Sequence, residues 1–124
     1  MEESILTSIK KLLGIAEDCE HFDTDIIMHI NSVFTILTQI GVGPSEGFSI
    51  SDKFAIWTDF IPDMTKLQAV KSFMHLKVKL LFDPPTSSAV IEAMNRQASE
   101  FEWRLNVAAE TKESQREEVI QNGE

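Results

Sequence analysis

Apolar residues along this chain recur mostly at spacings of three and four, the mark of helices that bury one face. The first such run covers residues 2–14, where Ile5, Leu6, Ile9, Leu12 and Leu13 share a face and Gly14 is a natural stop. Residues 15–21 form an acidic link carrying Glu17, Asp18 and Glu20. A second helix follows, capped by Asp23 or Thr24, with acids well placed in its first turn. Phe22, just before the cap, can staple onto Ile26 or Ile27. The stripe of this helix is Ile26, Ile30, Val33, Leu37 and Ile40, widened by Ile27 and Phe34. Its other side holds Asn31, Ser32, Thr35, Thr38 and Gln39 and carries no formal charge after His29. A face of that kind suits partial cover by a partner or a neighbouring copy as well as plain solvation.

The helical pattern breaks over residues 41–62. Gly41, Gly43, Pro44 and Gly47 make a loop, and residues 48–51 alternate as a short strand or an extended arm does. Phe54, Ile56, Trp57, Phe60 and Ile61 fit a helical turn packed on the core, ended by Pro62, after which Asp63 can cap a new helix. Residues 64–82 form that helix. Leu67, Val70, Phe73, Met74, Leu76, Val78, Leu80 and Leu81 make it apolar on more than one face, so it is expected to be central. Pro84 and Pro85 then force a sharp turn, and Thr86, Ser87 and Ser88 offer oxygens to the free amides of the next helix. The short connection favours an αα-hairpin, and because the two strongest apolar surfaces flank it, the centre of the fold is expected here. Residues 88–110 make a fourth helix with a seam of Val90, Met94, Ala98, Phe101, Leu105 and Ala108. The pairs Glu92–Arg96 and Glu100–Arg104 support it by roughly 0.2–0.5 kcal/mol each. Trp103 lies off the seam, so it either widens the core or faces a partner.

The expected fold is therefore all-α: about four helices in a compact bundle, with an irregular middle segment over 41–62 and a polar C-terminal tail. One helical domain spans 1–110, and the glutamate-rich residues 111–124 read as a frayed helix or flexible acidic tail.

Composition narrows the function classes. A chain of 124 residues can bury a core without disulfides or metal, and its single cysteine, Cys19, excludes an internal disulfide framework. A reducing compartment is somewhat favoured by that count. No apolar run approaches the roughly 20 residues that cross a bilayer, and the acidic start does not read as a signal peptide. Twenty acids against eleven bases give a formal charge of −9, which opposes tight binding to the nucleic-acid backbone.

Candidate chemistry is sparse. Gly41, Gly43 and Gly47 lack the spacing of a dinucleotide fingerprint and follow a helix, not a strand. Cys19, His21, Asp23, Asp25 and His29 lie close together but lack the paired ligand spacing of zinc sites, so a solvated cluster accounts for them better. His21, His29 and His75 are scattered, and no serine sits in a nucleophile elbow. No catalytic residue, cofactor or metal is expected, and the chain reads as a binding or structural module. Lys66, Lys71, Lys77 and Lys79 are the only formal charges between Asp63 and Asp83, a basic stretch in an acidic chain. It suits a salt-bridging face for an acidic partner or a neighbouring subunit. Phe48, Trp57 and Trp103, off the main seams, and Arg104 beside Trp103 complete the candidate interface residues, although core placement of these aromatics is about as well supported.

Residues Phe22-Asp-Thr-Asp-Ile-Ile-Met-His-Ile-Asn-Ser-Val-Phe34, the Gly41-Val-Gly-Pro44 loop, Trp57, Leu81-Phe-Asp-Pro-Pro85 and Phe101-Glu-Trp-Arg-Leu-Asn106 carry a further signal. Together, and in this order, they resemble the head–tail connector (head-completion adaptor) proteins of tailed phages and prophages, over roughly residues 1–108. The resemblance implies a structural protein of the virion's head–tail interface, assembled in the host cytoplasm and without a cofactor. It implies copies that dock under the portal protein and close into a ring matching the twelve-fold portal. That ring receives the stopper or tail-completion protein, and DNA passes through it without specific binding. The competing expectation is a small helical regulatory module that binds its partner as a dimer.

Overall fold

The computed structural model describes residues 3–62 and 64–122, with side chains for all of these but 64 and 110–122. Among the described residues there are five helices and no strand: α1 (Ile5–Leu13), α2 (Asp23–Gln39), α3 (Trp57–Phe60), α4 (Met64–Phe82) and α5 (Ser88–Asn122). The all-α expectation holds, with α3 as the helical turn foreseen in the middle segment. The expected cap Asp63 lies outside the described residues.

Local chemistry explains the start and end of α1 and the starts of α2 and α5. The Thr7 amide donates to Ser4 Oγ at 3.1 Å, which starts α1, and Gly14 ends it with a left-handed φ of 81°. α2 begins one residue earlier than expected. Phe22 holds its N-cap position without a side-chain cap bond, because Asp23 sits in the first turn and turns its carboxylate to Lys10 at 2.9 Å. After the proline turn, Ser87 caps α5: its Oγ accepts from the Val90 amide at 3.4 Å and its carbonyl from the Ile91 amide at 3.1 Å. α5 continues as helix beyond residue 110 to Asn122.

α4 is the central element, packing against α5, α2 and α1. Leu67, Val70, Phe73, Met74, Leu76 and Val78 are all buried, and no single stripe holds them, so neighbours must lie on several sides. The αα-hairpin of α4 and α5 forms as foreseen. Its turn is not the centre of the fold: Asp83, Pro84 and residues 86–90 are exposed. The largest buried side chains instead gather where α1, α2, α3 and α4 meet. There the rings of Phe34, Phe48 and Phe60 lie within 4.7–5.4 Å of one another, centroid to centroid, and Trp57 joins at 6.5 Å from Phe34. The reason is simple: a two-proline turn must meet water, whereas the irregular segment 41–62 supplies aromatics that close the open side of the bundle.

That segment is tied down by polar contacts. The Asn31 side chain behaves like a strand neighbour, donating to the Ile50 carbonyl at 2.9 Å and accepting from the Ile50 amide at 2.8 Å. It thereby buries Ile50 and covers part of the uncharged face of α2 with the chain's own arm. Residues 48–51 are an arm, not a strand; the one isolated bridge pairs Ser4 with Ile56. Gly43, at φ 86°, brings its backbone so close to the Phe60 ring that a Cβ there would overlap it.

Candidate docking surfaces

The four α4 lysines do not form one basic face. At about 100° per residue, Lys66 and Lys77 lie within ~20° of each other, whereas Lys71 lies ~140° from Lys66 and Lys79 a further ~80° round. Two of them also have internal work. The Lys71 ammonium sits 5.5 Å from the centroid of the Trp57 ring, and Lys79 pairs with Asp83 at 2.8 Å. All four are half-buried.

The aromatic candidates separate in the same way. Trp57 is a core residue, 1% exposed, with its indole N–H donating to Ser8 Oγ at 2.9 Å. Phe48 is half-buried against Phe34 and Phe60. Neither is offered to a partner at the surface of the isolated chain. Trp103 is, at 64% exposure. It stands two residues from both Phe101 and Leu105 of the α5 seam, which at about 100° per residue turns it to the opposite side of the helix. Arg104 beside it is exposed and pairs with Glu100 at 2.6 Å. Val90, expected in the seam, is exposed instead, and Ile91 is turned inward.

Two grooves open among the described residues. The first, about 580 Å³, opens where the end of α1, the start of α2 and the end of α4 converge. Leu13, Ile15, Phe22 and Phe82 give it an apolar lining, with His29, Asp25 and Asp83 at its edges. Phe22 meets Phe82 edge-on with ring centroids 5.3 Å apart, and His29 lies 6.4 Å from Phe82 in the same manner. The sequence offers Phe22 a local staple on Ile26 or Ile27 of α2. The partner it finds, Phe82, is sixty positions away, a pairing no local pattern reveals. The second groove, about 840 Å³, is acidic, with Glu3, Glu17, Asp18, Glu20 and Asp23 around it and Phe54 at its rim.

In this acidic groove Lys10 is 2% exposed. Its ammonium donates to the carbonyls of Cys19 at 2.6 Å and Glu17 at 3.0 Å. Asp23 Oδ1 lies 2.9 Å away, buried and out of line for a hydrogen bond, so that contact is an ion pair only. The acidic link 15–21 is thus clamped to α1 by one buried cation. His75 of α4 shows the other electrostatic effect of packing. Burial pushes its pKa below the ordinary histidine value and the Lys79 charge adds to this, against a hydrogen bond to the Leu12 main chain.

A compact helical body with grooves and an outward tryptophan is the form of a small all-α docking protein. The chain belongs to the phage connector protein family, whose match covers residues 5–112, from the first residue of α1 into α5. No curated protein and no solved structure matches it. It is accordingly a structural component of the phage particle, a connector that works through contacts with portal and tail parts. No helix among the described residues is long and apolar enough to cross a membrane.

Proposed function

We propose that this connector docks under the portal after DNA packaging and closes into a twelve-fold ring that joins the filled head to the stopper or tail-completion protein. The observation that carries this reading is the family match over residues 5–112, which takes in α1 to α4 and most of α5. Charge supports it. A chain with 20 acids and 11 bases repels duplex DNA, and a repelling channel wall lets DNA slide where an adhesive one would hold it. The protein acts by contact, without catalysis or cofactor, and is assembled in the host cytoplasm. Of the candidate interface residues, Trp103 and Arg104 on α5 and the aligned pair Lys66 and Lys77 on α4 are those we assign to contacts. Lys71, Lys79, Phe48 and Trp57 serve the chain's own packing.

Negative-stain microscopy of the purified chain, alone and mixed with its portal, tests the proposal. Rings in either sample support it and give the symmetry directly. A monomer or dimer that ignores the portal at micromolar concentration overturns it.

A further inference from the structure

We draw no further inference here: the strongest candidate, the acidic groove between α1 and the 15–21 link with the exposed Phe54 ring at its rim, is a cluster of carboxylates whose buried Lys10 is already bonded within the chain, and nothing in the structure shows what fills it.

Discussion

Lys10 shows how one side chain can organise a surface. Its ammonium holds the carbonyls of Glu17 and Cys19, and Asp23 Oδ1 is buried against it. Substituting Lys10→Met keeps the stem and removes the charge, leaving two carbonyls and a carboxylate oxygen without their partner. The cost is expected to be about 2–4 kcal/mol, since removing one member of a buried pair strands the other. Urea unfolding checks this: the midpoint should fall with the slope unchanged, and a midpoint within error of wild type would show that water replaces the ammonium freely. His75 makes a second prediction at this scale. Its pKa is lowered in the fold, so the unfolded chain binds a proton that the folded chain resists. Stability from this residue is complete above the unfolded value of about 6.5 and declines as pH falls below it. His75→Gln should therefore flatten the stability profile below about pH 6.5 relative to wild type. Parallel profiles would mean that His75 is not the group responsible.

At the scale of elements, the loop after α2 is a packing device as much as a connection. Gly14 and Gly43 have nearly equal positive φ, 81° and 86°, so alanine strains the backbone similarly at both. Only at Gly43 does a Cβ meet a ring, that of Phe60, while Gly14 faces open space. Gly14→Ala is expected to cost about 1 kcal/mol and Gly43→Ala at least about 2, the difference measuring the clash. Equal losses in thermal unfolding would show that the Phe60 ring yields. These glycines also show what periodicity can reveal. The long helices were legible because their apolar spacing, prolines and cap residues all agree. α4 runs over 64–82, as the pattern has it. Within residues 41–62 the helical turn packed on the core was legible from Trp57, Phe60 and Ile61, but the ties that hold the rest were not, because Asn31 reaching Ile50 and Gly43 meeting Phe60 are long-range pairings that leave no local period. The same limit applies to the surface. Trp103 was visible as an off-seam residue, but the groove at the other end of the body is built from three separated segments. The α4 lysines read as one basic stretch in sequence and are spread around the helix in space.

For the molecule as a whole, an acidic body must still find and hold its neighbours in the particle. Lys66 and Lys77 lie on one line of α4 and, unlike Lys71 and Lys79, are not engaged with Trp57 or Asp83. Reversing both to glutamate should leave the fold within about 0.5 kcal/mol of wild type, because surface charges contribute little to stability. The effect belongs to encounter. Rim charges mainly set association rates, and their reach is about 10 Å at 0.1 M salt and about 3 Å at 1 M. The double reversal should therefore slow association with the portal severalfold in ~50 mM salt and progressively less as salt rises. Removing Trp103, which we assign to a docking contact, should instead speed dissociation from the portal at every salt concentration, since an apolar contact is not screened. Stopped-flow association and dissociation traces across a salt series separate the two. If the lysine reversal leaves the low-salt association rate unchanged, α4 faces away from the portal, and the steering charge must come from the arginines of α5.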